Sequence, residues 1–190
     1  NIRLIHFKND LFIKAESSFL EALKILNSYN YKFYISACYY MLAKTYLALN
    51  QIENSLLFAY KSFDISKELV TKSGILESKI LLAKINYQKN KTKSIEQLEN
   101  ILEIVSVDGS LEMKKEVYEL LYIGYKFQNK LDLSLKMYEF FNLYNDSIHD
   151  RVESYAVARE TVKNEYEKIL FESKLNSEIE KNNLKITQIN

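Results

Sequence analysis

The chain has 190 residues, with 26 Lys and Arg against 25 Asp and Glu. A near-neutral balance with no basic stripe argues against direct nucleic-acid binding. Pro is absent and Gly occurs three times, at Gly74, Gly109 and Gly124. Sheet folds need more turn chemistry than this, so the chain reads as all-α with short connections. The apolar fraction of 47% supports a continuous core, and the single Cys38 excludes an internal disulfide. No stretch reaches the roughly 18 apolar residues of a membrane span.

The chain opens at Asn1 already in a helical pattern and without a starting Met, which reads as a piece of something longer. Ala15, Phe19 and Ala22 then share one helix face. The same steps recur at Ser55-Ala59-Ser62, Ser94-Leu98-Ile101 and Ser134-Tyr138-Phe141. The opening residues of these four sets are 40, 39 and 40 residues apart. A fixed period in this range is the signature of stacked helix pairs. Small residues at the repeated position let two helices approach closely.

Another helix precedes each of these. From Ile35 to Leu49, the residues Tyr39, Leu42, Ala43 and Tyr46 form one apolar stripe. A polar break at Asn50-Gln51 follows, and the partner helix runs from Ile52 to Val70. In the third pair Ile85 takes the tyrosine position, with Leu81 and Leu82 behind it. The basic run from Lys89 to Lys93 reads as a solvated turn. The fourth pair repeats the stripe as Tyr118, Leu121, Tyr122 and Tyr125, then turns at Gln128-Asn129-Lys130. Tyr46 to Ser55 and Tyr125 to Ser134 are both nine residues. The first pair keeps only Arg3 to Phe7 of its leading helix, with His6 in the tyrosine position.

After Asp150 the repetition stops. Val152, Tyr155, Val162, Tyr166 and Ile169 form a stripe that predicts a cap over the last pair. Beyond Phe171 the phase changes to Leu175, Ile179, Ile186 and Ile189, with Asn182 in the gap. Charges balance there, as at Lys174 and Glu178. This end predicts a solvated helix that pairs as a two-stranded coiled coil, and so a homodimer.

Tyr39-Leu42-Ala43-Tyr46 followed by Ser55-Ala59-Ser62 resembles the tetratricopeptide repeat (TPR) family. The resemblance covers about residues 1 to 147 and implies a right-handed α-α superhelix of helix-turn-helix repeats. The period near 40 exceeds the family's 34. Second helices longer by about a turn and a half would account for it. The family's closing proline is missing. Residues 148–190 are then a capping helix that continues as a linker or coiled coil. The resemblance also implies an inner groove of first-helix residues beside the stripe. Those are Tyr40, Lys44 and Leu47, then Lys79, Ala83, Asn86 and Tyr87, then Glu119, Ile123, Lys126 and Phe127. Such a groove suits an extended peptide or an amphipathic helix as protein partner. The family's carboxylate clamp is only loosely echoed, by Lys44, Lys79 and Asn86.

Tyr144-Asn145-Asp146-Ser147 and the charged helix after it resemble the organisation of bacterial TPR regulators. In those a membrane span and a histidine-kinase or helix-turn-helix output follow. That resemblance implies the sensory or regulatory part of a membrane-linked regulator, on the cytoplasmic or periplasmic face, with any tether outside this chain. The alternative is a free-standing cytoplasmic adaptor that binds a peptide in its groove.

No reaction chemistry is expected. His6 and His149 stand near opposite ends of the array, without a further ligand at metal spacing. There is no phosphate loop and no nucleophile elbow, so neither cofactor nor metal is implied. Glu116 and Glu119 read as solvated surface, and Cys38 as a small packed residue without a base beside it.

Overall fold

The computed structural model describes the backbone of residues 2–187 and the side chains of residues 11–157 and 159–175. Within these the chain is helical, with no strand. The helices are α1 (Ile2–Ser28), α2 (Lys32–Ala48), α3 (Ile52–Glu68), α4 (Lys72–Lys89), α5 (Lys91–Asp108), α6 (Leu111–Phe127) and α7 (Leu131–Thr187). Two compact units result, Asn1–Asn145 and Asp146–Asn190.

In the first unit each helix from α1 to α6 packs on the next, and α2 also meets α4, which meets α6. Four connections end the preceding helix in the same way. Asn30, Asn50, Val70 and Asn129 adopt positive φ, between 53° and 59°. The next residue's N–H then reaches back five positions, as from Gln51 N–H to the Tyr46 carbonyl at 2.8 Å and from Lys130 N–H to the Tyr125 carbonyl at 2.9 Å. This is the Schellman closure, and Asn tolerates the left-handed backbone it needs. Val70 does not. It is β-branched, has φ 53° and is 77% exposed, so no packing repays the strain. Val70→Gly is expected to raise stability by about 1 kcal/mol, read as a higher urea midpoint at unchanged slope.

The repeated serine does more than leave room. Ser55 Oγ donates to the Ala43 carbonyl at 2.8 Å, Ser94 Oγ to the Ala83 carbonyl at 2.6 Å and Ser134 Oγ to the Tyr122 carbonyl at 3.1 Å. In each pair the second helix is thereby bonded to the backbone of the first. Each bond contributes about 1 kcal/mol.

Three apolar clusters make the core of this unit. Leu23, Ile35, Leu42 and Tyr46 join α1 to α2, with Phe58 and Ile65 of α3 against them. Ala43, Ala59, Leu81 and Ile85 join α2, α3 and α4. The largest runs from Leu76 through Leu98, Val117 and Leu121 to Met137, with Phe140, Phe141 and Tyr144 against it. Tyrosine hydroxyls at the edges find acids on the preceding helix. Tyr46 donates to Glu16 and Tyr125 to Glu99, both at 2.6 Å. Burial, with the neighbouring Glu16, pushes the Tyr46 phenol up to about 12.

Several sequence expectations change. α1 runs unbroken through 2–28, so Arg3 to Phe7 belong to the same helix as Ala15, Phe19 and Ala22. No turn separates a leading helix there; the side chains of His6 and its neighbours lie outside the described residues. The extra length over the family repeat is not confined to second helices, since α2 and α3 both have 17 residues. Ile85 is not in the tyrosine position. Ser94 bonds to a carbonyl 11 residues back, whereas Ser55 and Ser134 reach back 12. The missing residue is in the connection, where Asn90 alone separates α4 from α5. Asn90 caps α5 by accepting from Lys93 N–H at 3.0 Å, so one residue suffices. Asn86 therefore occupies the place of Tyr46 and Tyr125.

In the second unit Val152, Tyr155, Val162, Tyr166 and Ile169 are between 59% and 70% exposed. The side chains that close the last pair come earlier on α7. Phe140 and Tyr144 stack on Tyr118 at 4.9 and 5.5 Å between ring centres, and Tyr138 lies 5.1 Å from Tyr122. Glu178, Ile179, Asn182, Ile186 and Ile189, on which the coiled-coil expectation rests, lie outside the described side chains.

Candidate functional site

The one-residue shift changes which face of α4 lies between α2 and α6. Steps of 40 and then 39 residues relate Ala37, Glu77 and Glu116, and likewise Lys44, Lys84 and Ile123. The charged members of these two rows meet. Lys84 Nζ lies 2.7 Å from Glu116 Oε1. Lys44 Nζ sits 5.4 Å from the centre of the Tyr40 ring. Burial raises the pKa of the Glu77 carboxyl, Lys44 opposes that, and Glu116 adds to it. Burial, with Glu116 and Glu77 nearby, holds the Tyr40 phenol above the usual tyrosine range. Two lysines, two glutamates and a phenol thus form one charged patch over three helices, half-buried except at the exposed Lys44.

The expected groove residues divide accordingly. Tyr40, Lys44 and Leu47 share a face of α2, and Tyr40 and Leu47 pack on the α2–α3–α4 core. Glu119 is half-buried and Ile123 is 42% exposed, the latter two turns from Glu116 on the same side of α6. Tyr87 and Phe127 both face Lys91, whose Nζ is 5.6 and 4.1 Å from their ring centres. The basic turn thus contributes a cation between the ends of α4 and α6. Lys79 lies about 160° round α4 from Glu77, in a separate hollow with Ile104 and Asp108. Asn86 turns to α5, where its amide donates to Gln97 at 3.3 Å. Ala83 is 1% exposed and its carbonyl receives Ser94. Lys126 lies beside Tyr122 and α7. Lys44, Lys79 and Asn86 therefore do not converge on one point, and the loose echo of a carboxylate clamp has no common centre.

Lys84 is missing from the expected groove because the frame on α4 is one residue off, whereas Glu77 belongs to the row of Ala37 and Glu116, which the expected groove does not include. The signal was present in the repeat spacing, which drops from 40 to 39 between Ser55 and Ser94. A second feature had no sequence warning. Between α2 and α4, with α3 as its floor, lies a cleft of about 250 Å3. Ser36, Ser62 and Ser66 line it and are between 2% and 7% exposed; Tyr40 and Glu77 stand in its walls.

Burial raises the Cys38 pKa, which keeps the thiol protonated. Among the described residues no three His, Cys, Asp or Glu side chains gather as a metal site, and no helix is long and apolar enough to cross a membrane. No model of a known protein family matches the chain, and no curated protein matches it.

Proposed function

We propose that the first unit is a TPR-like peptide-binding scaffold, with its helix pairs stacked as a right-handed superhelix. The observation that carries this reading is the patch of Tyr40, Lys44, Glu77, Lys84 and Glu116. It draws one charged, largely half-buried surface from three successive first helices, α2, α4 and α6. The repeated serine-to-carbonyl bond supports the family resemblance. An inner face with both signs of charge and an aromatic ring suits an extended peptide with alternating charges.

A peptide selected from a random display library against the whole chain tests this. Lys44→Glu with Lys84→Glu is expected to weaken that peptide by about tenfold or more. Lys79→Glu, on the opposite side of α4, leaves it unchanged, and circular dichroism stays the same in both. Equal losses from the two variants would falsify the assignment of the face.

We further propose that the chain is the regulatory part of a membrane-linked bacterial regulator, on the strength of the Asp146-Ser147 segment and the long charged helix after it. An apolar span of roughly 20 residues in the reading frame after Asn190 is the expected finding. A stop there favours the free-standing adaptor.

A further inference from the structure

The cleft between α2 and α4 has a one-sided hydrogen-bonding character. Ser36 Oγ donates its only proton to the Ser62 carbonyl at 3.0 Å. The Ser66 and Ser62 hydroxyls, at 2.9 and 3.2 Å from Ser36 Oγ, must therefore donate if they bond to it. Ser62 Oγ is also 3.3 Å from Ser78 Oγ. Thr71 Oγ1 donates to the Ser66 carbonyl at 3.3 Å. A hydroxyl has one proton and two lone pairs. With the protons committed to one another and to carbonyls, the floor has lone pairs left to present.

The walls add to this. Among the described residues Glu77 is the only charged one lining the cleft, and its carboxyl is half-buried. An ionised carboxylate accepts and never donates. The Tyr40 ring already attracts a cation, Lys44, at 5.4 Å from its centre. Gly74 leaves the hydroxyls uncovered, since a Cβ there would stand 2.7 Å from Ser66 Oγ and 2.9 Å from Thr71 Oγ1. At about 250 Å3 the space is below the range of drug-sized sites. It suits one side chain or a molecule of that size. The group that answers lone pairs, one carboxylate and an aromatic wall together is planar, cationic and rich in N–H donors.

We propose that this cleft is a receptor for a guanidinium group, with Glu77 as its anionic partner and the serine floor as acceptor. The guanidinium comes from an arginine of a bound peptide or from a free guanidino compound. In the first case the proposal rests on the peptide-binding reading above; in the second it stands without it.

The test uses the whole chain and four probes: N-propylguanidinium, its neutral isostere N-propylurea, acetyl-Ala-Arg-Ala-amide and the citrulline version of that peptide. Binding is read from amide shifts of Ser36, Ser66 and Gly74 in nitrogen-15 spectra. Propylguanidinium is expected to shift these signals saturably, and propylurea to leave them in place. Glu77→Gln is expected to weaken the guanidinium by roughly tenfold to a hundredfold, the loss of one charge-assisted bond. Ala37→Leu fills the mouth from an exposed position and blocks binding without touching the acceptors. Spectra of both variants away from the cleft report that they are folded. Equal binding of propylurea, or unchanged affinity in Glu77→Gln, overturns the proposal. If propylguanidinium binds and neither peptide does, the receptor stands and the peptide reading fails. If the arginine peptide binds equally to wild type and Glu77→Gln, the groove reading stands and the guanidinium receptor is overturned.

Discussion

Ile85→Tyr is expected to cost about 3 to 5 kcal/mol, whereas Asn86→Tyr costs less than about 1. The two residues are neighbours, and the repeat pattern read from sequence puts the tyrosine at 85. In the structure Ile85 is fully buried among Ala43, Ala59 and Leu81. A ring there overpacks a closed site and buries a hydroxyl without a partner, and the two penalties add. Asn86 is half-buried and touches Gln97. That pair is the counterpart of Tyr46 and Phe58, whose rings stack at 5.3 Å. The sequence separations are 11 and 12, which again differ by the residue missing at Asn90. Asn86→Tyr with Gln97→Phe rebuilds the stacked pair and is expected to gain about 1 kcal/mol over wild type. Urea denaturation of the three variants beside the wild type decides the register. If Asn86→Tyr is the damaging single change, the frame described for α4 is wrong.

The helix pairs were legible because their signals are local. Periodic apolar residues, Asn at three of the four left-handed closures and the absence of Pro mark helices and turns with little help from tertiary context. The small-residue positions were legible as contact points, but their hydrogen bonds were not. A Ser at a close approach looks the same whether its hydroxyl reaches a carbonyl or only leaves space. The α4 frame failed because one connection closes with a single capped residue, and a repeat aligned on its apolar stripe hides a deletion in a turn. Lys79 and Asn86 enter the groove by that shift and Lys84 drops out of it; Glu77, in the row of Ala37 and Glu116, lies outside the groove positions in either frame. The serine cleft was beyond reach for another reason. Ser36, Ser62, Ser66 and Ser78 come from three helices, and only packing brings their hydroxyls within 2.9 to 3.3 Å. The long stripe after Asp150 has regular spacing, but spacing alone does not say whether a face is covered, and here it is exposed.

Gly124→Val is expected to destabilise the chain by about 3 kcal/mol, although the equivalent position on α4 is the β-branched Ile85. The two sites solve the same contact in opposite ways. On α4, Ile85 supplies the bulk and meets the small residues Ala43 and Ala59. On α6, Gly124 is the small partner, and a Cβ there would stand 2.7 Å from Ile95 Cγ1 and 3.0 Å from its Cδ1. Ile95 is 2% exposed and held in the largest cluster, so it has nowhere to move. A helical glycine ordinarily costs about 1 kcal/mol against alanine; its presence here reflects this approach of α5. Gly124→Ala therefore sets that gain against a clash of similar size and changes stability little. Valine adds two more methyl groups to the same space. Ile95→Ala alone leaves a cavity and costs about 2 to 5 kcal/mol. In the double variant the valine occupies part of that cavity, so the combined cost falls short of the sum by about 2 kcal/mol. A double-mutant cycle in urea measures this coupling directly. Additive losses would mean that Gly124 and Ile95 do not share the space, and the close packing of α5 on α6 would have to be redrawn.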